Sequence, residues 1–309
     1  MKKLFALVMV LCMAFSFVAC AAPAAEEAPV EEAAPAEETP AALTYDDYAA
    51  MSIDELKGHI ATVSEGTLTV ATSPDFAPYE FYVVDENGEY ALAGFDMSLA
   101  EYIANYLGLE LEVVPMDFDG TLAELAAKNV DLSLAGYSPD PARMDKMDFS
   151  VIYYEGGQSF VTTKGKEANF ATLEDTNKAD WTIGAQNGSI QMDLANENSP
   201  EADIVPLTKV TDIIAELLAG TLDGAYIETA VAETYAISYP ELAIVLDVPY
   251  EAEGSAVGVS KDNFALLAGV NMAVEACLAD GSMAAFVAEA NELSAGNIGI
   301  LVDGEIVEG

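Results

Sequence analysis

From Leu68 onward, short apolar runs of strand character alternate with amphipathic helical stretches, and the alternation happens twice. "LTVAT" reads as a buried strand. "YEFYVVDENGEYALAGF" reads as a hairpin turning at Asn87-Gly88, a pair suited to a type I′ turn. "DMSLAEYIANYLG", from Asp96, has the period of an amphipathic helix closed by Gly108. "LELEVVPM" follows as a strand, "DGTLAELAAKN" as a helix and "VDLSLAG" as a strand. The second round runs "WTIGAQ" (strand), "GSIQMDLAN" (helix), "ADIVPL" (strand), "VTDIIAELLAG" (helix) and "LDGAYIE" (strand). Strands separated by helices at this spacing predict parallel βαβ units, hence an α/β fold. "VDLSLAGYSP" and "LDGAYIETA" take matching places, each a strand that follows a helix and ends in polar residues. Ligands in open α/β sheets sit beyond the carboxyl ends of strands, so two such lobes face to face would bury a small ligand.

An apolar fraction of 52% in 309 residues suffices for two cores. The formal charge of -42 excludes a nucleic-acid surface and argues against charge-driven contact with anionic lipid. His59, the single histidine, cannot build the histidine clusters of zinc, copper or iron sites. Of the three cysteines, Cys12 and Cys20 fall in the N-terminal segment, so no disulfide framework is available and Cys277 reads as a buried core residue. No phosphate loop, nucleophile elbow or metal motif is present, and no cofactor is called for.

"MKKLFALVMVLCMAFSFVAC" has the charged start, short apolar core and small residues of a secretory signal. Its Val18-Ala19-Cys20 end resembles a bacterial lipobox, with Phe17 where leucine is usual. That resemblance implies cleavage before Cys20 and a lipid on its thiol; ordinary cleavage near Ala22 is the alternative. The following "AAPAAEEAPVEEAAPAEETPAA" holds small residues, prolines and paired glutamates, and cannot bury enough surface to offset ordering entropy. It reads as a tether reaching on the order of 60 Å at roughly 3 Å per residue. Ser52 and Glu55 have capping-box spacing, which predicts a short helix carrying His59 at its surface or edge.

These stretches together resemble the amino-acid-binding family of extracellular solute-binding proteins, which feed ABC importers. The resemblance spans about Gly66 to Met283. It is carried most by "VVPMDFDGTLAELAAKNVDLSLAGYSPDPARMDKMDFSVIYYEGGQSFVTTKG", with "ATSPDFAPYEF" and "GAQNGSIQMDLA" in support. It implies the type II periplasmic-binding-protein-like fold, two lobes joined by a two-strand hinge near Tyr154–Gln158 and Pro249–Gly254, closing on a ligand. The expected organisation is a signal peptide at 1-19, lipidated Cys20 with the tether at 20-44, and an N-terminal helix at 45-65. Lobe 1 is expected at 66-156, lobe 2 at 157-250, and a return to lobe 1 with a tail at 251-309.

The resemblance also assigns a site. Arg143, the sole arginine of the chain, matches the position that holds a ligand α-carboxylate, with the Ser138 hydroxyl five residues earlier and Gly136 in the same turn. A guanidinium presents paired N–H donors that match a carboxylate bidentately, and lysine cannot copy that geometry. The residues alone also allow Arg143 to pair within its own turn, with Asp140, Asp145 or Asp148. Ser189 and Ile190 match the lobe 2 contacts at a helix N-terminus, where Ser189 would serve equally as a plain N-cap. Glu228 falls where the family has an acid, usually aspartate, for the ligand ammonium. Phe76 and Phe118 match flanking aromatics, with plain core as the alternative, and Tyr79 reads as core.

Ser73 stands where some members have aspartate, and Gln186 where some have lysine; Ile227 replaces a residue that is sometimes polar. A pocket of Ser73, Phe76, Phe118, Gln186 and Ile227 lacks side-chain charge, which predicts an L-amino acid with an uncharged side chain. The resemblance implies a monomeric binding protein, exported and anchored through Cys20, that delivers its amino acid to an ABC importer permease without doing chemistry. Two rivals are an enzyme of the same fold, resembling cyclohexadienyl dehydratases with Glu228 as the pocket acid, and a ligand-sensing ectodomain. The tail "GNIGILVDGEIVEG" suggests a terminal hairpin.

Overall fold

The computed structural model describes residues 42–84, 90–251, 254–295, 298–302 and 305–308. The signal peptide, Cys20, most of the tether and the Asn87-Gly88 turn lie outside them. The described chain opens with two short helices, α1 (Tyr45–Ala49) and α2 (Ile53–Leu56), each started by a capping box, Thr44 with Asp47 and Ser52 with Glu55. The expected single helix is broken in two, and His59 lies exposed in the turn after α2, with its ring edge-on to Tyr48 at 5.6 Å.

Then come β1 (Thr67–Thr72), β2 (Asp75–Phe76), β3 (Glu80–Val84), β4 (Tyr90–Ala93), α3 (Phe95–Leu107), β5 (Glu110–Pro115), α4 (Phe118–Ala126), β6 (Leu132–Ser133) and β7 (Met147–Tyr154). Beyond β7 lie β8 (Gln158–Thr163), β9 (Thr182–Gln186), α5 (Ile190–Asn198), β10 (Asp203–Leu207), α6 (Val210–Ala219), β11 (Gly224–Glu228), α7 (Thr229–Ser238) and β12 (Leu242–Asp247). The chain ends with β13 (Ser255–Ser260), α8 (Phe264–Asp280), α9 (Ser282–Ser294), β14 (Ile298–Val302) and β15 (Glu305–Glu308).

The strands form two sheets of matching plan. Lobe 1 has the order β5-β1-β6-β13-β7 and lobe 2 the order β10-β9-β11-β8-β12. In each, four strands run in one direction and a single strand, β13 or β8, runs antiparallel in the fourth place. The chain leaves the first sheet after Tyr154, enters the second at Gln158, and returns between Asp247 and Ser255. Tyr250 ties the two crossings together: its hydroxyl donates to Gly156 O at 3.2 Å and accepts from Gly254 N at 3.0 Å.

Helix spacing explains how the sheets are covered. In α3, Phe95, Leu99, Ile103 and Leu107 recur every fourth residue and are buried, and Gly108 closes the helix in the left-handed conformation. In α6, Val210, Ile213, Ile214 and Leu217 make the same kind of stripe. α8 is buried around most of its girth, Cys277 included, and packs on α1, α2 and α3. β14 and β15 pair antiparallel, as the tail suggested, and β14 adds to β3 in a third sheet. β6 is shorter than "VDLSLAG" because the chain turns at Gly136, whose φ of 59° ends extended pairing.

Candidate functional site

Beyond β6 the chain runs through Leu134–Asp140 and folds Pro141–Arg143 into one 3-10 turn, whose start is capped by Asp140 accepting from Ala142 N at 2.8 Å. A Cβ at Gly136 would lie 2.7 Å from the Phe76 ring, so glycine lets β2 press against this loop. Ser138 is buried in the same loop. Arg143 then points its guanidinium to the second lobe. The carbon of that group lies 6.0 Å from the ring centres of both Phe118 and Tyr137, and Nη2 donates to Gly188 O at 3.1 Å.

No described ion pair involves Arg143: Asp148 is taken by Lys261 at 2.7 Å, and Asp140 serves its own turn. Burial lowers the Arg143 pKa, opposed by the charges of Asp140 and Asp193 and by Tyr137. A partly buried guanidinium with no ion pair among the described residues has the donor geometry that suits a carboxylate.

Lobe 2 meets this loop with the turn that follows β9. Ser189 caps α5, accepting from Met192 N at 3.2 Å and donating to Gln186 O at 2.7 Å, and Ile190 is the first residue of the helix. Asn187 reaches across to Asp119 of α4 at 2.9 Å.

At the carboxyl end of β11, Glu228 is only 3% exposed. It caps α7 by accepting from Val231 N at 2.9 Å and reaches the first crossing by accepting from Gly157 N at 3.3 Å. Burial pushes its pKa up to about 7, although these N–H groups and the Tyr79 hydroxyl favour the carboxylate. Tyr79 is fully buried among Phe76, Phe95 and Tyr154. Phe76 and Phe118 are buried as well, at 6% and 7% exposure, on opposite flanks of the Arg143 loop.

The remaining two positions carry a correction. Ser73 and Gln186 come together, but around a charge: Ser73 Oγ donates to Asp75 Oδ1 at 2.8 Å and Gln186 Nε2 to Asp75 Oδ2 at 3.3 Å. Val210 N also donates to Asp75 Oδ2, at 2.5 Å, and the Tyr235 hydroxyl to Asp75 O at 3.2 Å. Asp75 therefore bridges the lobes, and burial raises its pKa to about 6 against those donors. Sequence reasoning passed over it because its partners in lobe 2 lie more than a hundred residues away and acids abound in this chain. Ile227 packs in the main core. A cavity of about 130 Å3 beside Asp75 is lined by Ser73, Met116, Asp117, Lys209 and Thr211, and the buried Thr211 hydroxyl has no partner among the described residues.

Two lobes of one topology, with a cationic loop after the third strand of one and an acid after the third strand of the other, agree with the match of residues 68–289 to the family described as bacterial extracellular solute-binding proteins, family 3. The chain belongs to that family. This solute-binding protein is thus of an exported class. It is 34% identical over 200 residues to the arginine-binding extracellular protein ArtP of Bacillus subtilis (strain 168), covering 63% of this chain and 75% of that protein. A crystal structure of the amino acid ABC transporter substrate-binding protein AbpA from Streptococcus pneumoniae, bound to L-arginine, superposes with a TM-score of 0.72 at 32% identity. That superposition covers 75% of this chain and 97% of that one. The cyclohexadienyl dehydratase of Pseudomonas aeruginosa is 28% identical over 198 residues, 64% of this chain and 72% of the enzyme.

Proposed function

We propose that this solute-binding protein takes up one L-amino acid between its lobes and hands it to an ABC importer permease, acting as a lipid-anchored monomer through Cys20 and without catalysis. The observation that carries the reading is the unpaired Arg143 guanidinium at the lobe boundary. It takes the ligand carboxylate with the Ser138 hydroxyl, in the loop that begins at Gly136, and the N–H groups at Ser189 and Ile190 approach from lobe 2. Glu228 receives the ammonium, and Phe76 and Phe118 flank the side chain.

The side-chain end lies toward Ser73, Gln186 and Asp75. Beside these uncharged residues stands the buried Asp75 carboxyl, and the Thr211 hydroxyl, without a partner among the described residues, adds a second polar group. A side chain ending in hydrogen-bond donors suits that lining. Arginine, the ligand named for ArtP and bound in the AbpA crystal structure, leads the candidates.

A thermal-shift panel over the common amino acids tests the reading. Ligand at a hundred times its dissociation constant stabilises by about 2.7 kcal/mol. A shift with a sugar or peptide but with no amino acid would refute the ligand class. One observation favours a second reading, a lyase: the Glu228 carboxyl, held near about pH 7, suits an acid or base in an elimination. Turnover of prephenate or arogenate by the wild type, lost in Glu228→Gln, would establish it.

A further inference from the structure

Glu80 in β3 and Asp96 in α3 are both fully buried, away from the ligand groups assigned above. The backbone forces them together. Asp96 N donates to Tyr79 O at 2.9 Å, and the strand and helix approach so closely that a Cβ at Gly94 would lie 2.1 Å from that carbonyl. That approach sets the two side chains side by side, at the start of β3 and the start of α3. Both oxygens of Glu80 and Oδ1 of Asp96 lack a donor among the described groups, and no described ion pair reaches either residue. Asp96 Oδ2 is differently placed: it accepts the Gly136 N–H at 3.1 Å. Gly136 is the residue at which the chain turns into the loop of Ser138 and Arg143.

Two carboxylates in contact, out of water and without a cation, repel each other strongly; a hydrogen between them removes the repulsion and supplies the missing donor. We propose that Glu80 and Asp96 share one proton at neutral pH and act as a positioning pair, holding Gly136, and through it the Arg143 loop, in the geometry that receives ligand. The positioning half rests on the reading of that loop as the carboxylate site; the shared proton does not. The proton resides on Glu80, whose O–H donates to Asp96, while Asp96 keeps its charge for the Gly136 N–H. Burial, then the charges of Asp96 and Asp75, raise Glu80 well above the usual carboxyl range. Asp96, raised by burial to about 6, keeps the Gly136 N–H on its Oδ2, which favours its charged form. The titratable groups facing the pair among the described residues are Tyr153 of β7, Tyr79 before β3, Tyr137 of the loop after β6 and Asp75 of β2, none of them a base.

Carbon-13 NMR of the carboxyl carbons in the full chain tests the proton. One glutamate besides Glu228 should keep the chemical shift of a protonated acid at neutral pH and disappear in Glu80→Gln. Finding every glutamate other than Glu228 ionised at neutral pH would overturn the proposal. Titration with L-arginine, or with whichever amino acid gives the largest thermal shift, tests the positioning. Glu80→Gln keeps an N–H donor toward Asp96 and should bind within about twofold of wild type. Glu80→Met, of similar length without a donor, should bind about tenfold more weakly at an unchanged number of sites. Equal affinity of the Gln and Met variants would remove the positioning role. The site reading fails separately, if Arg143→Lys binds as the wild type does, and the carboxyl spectrum decides the proton in either case.

Discussion

β6 and β11 stand third in their respective sheets, each between a parallel neighbour and an antiparallel one, and their carboxyl ends lead to groups of opposite charge. After β6 the chain wraps seven residues of loop before a 3-10 turn presents Arg143. After β11 it enters α7 at once, with Glu228 as the cap. The arginine sits on a loop, half-buried and bonded across the lobe boundary to one carbonyl. The glutamate sits on rigid elements, nearly sealed and held by backbone N–H donors. One topology used twice thus yields a cationic fork on a loop and an acid fixed between a strand and a helix, the two charges that the proposed zwitterion site requires.

Breaking the cationic side should have the largest effect. Arg143→Lys loses the bidentate fork and, at roughly 1.5–3 kcal/mol per charged hydrogen bond, should weaken amino-acid binding at least about a hundredfold by calorimetry, with the ligand-free melting temperature unchanged. Glu228→Gln should weaken binding about tenfold. It should also flatten the pH dependence, because in the wild type affinity falls as pH drops through about 7 and the carboxyl protonates.

The stability of the ligand-free protein should run the other way. Asp75, Asp96 and Glu228 have folded pKa values of about 6, 6 and 7, above those of unfolded carboxyl groups. The folded state therefore binds more protons in the window from about pH 4 to about pH 7, and stability falls as pH rises through it. Calorimetric scans should show the melting temperature dropping by at least about 4 °C between about pH 5 and about pH 8. The smallest change belongs to the exposed rim: Asn187→Ala, which removes the bond to Asp119, should weaken binding by no more than about threefold.

Much of this was legible in the sequence because it is local. The Ser189 cap and the Gly108 helix end lie within a few residues of their partners, so spacing predicts them, whereas Arg143 was singled out by the family resemblance, its side-chain partner Gly188 lying 45 residues away. α8 left no periodic signal because it is apolar on nearly every side, being buried beneath α1, α2, α3 and β7. Asp75, Glu80 and Asp96 escaped for another reason. In a chain with 53 acids, an acid reads as a solvated surface group, and only tertiary packing seals these three. His59 missed its helix because α2 stops at Leu56, one turn earlier than its pattern allows.

The claim on which the account turns is that Arg143 grips the acid end of the ligand. Isothermal titration of the wild-type protein with its tightest-binding amino acid, and with the α-carboxamide of that amino acid, reads this contact alone. The account predicts that the amide binds at least about a hundredfold more weakly to the wild type and that the gap narrows to about tenfold or less in Arg143→Lys. An amide bound as tightly as the acid by the wild-type protein would contradict it.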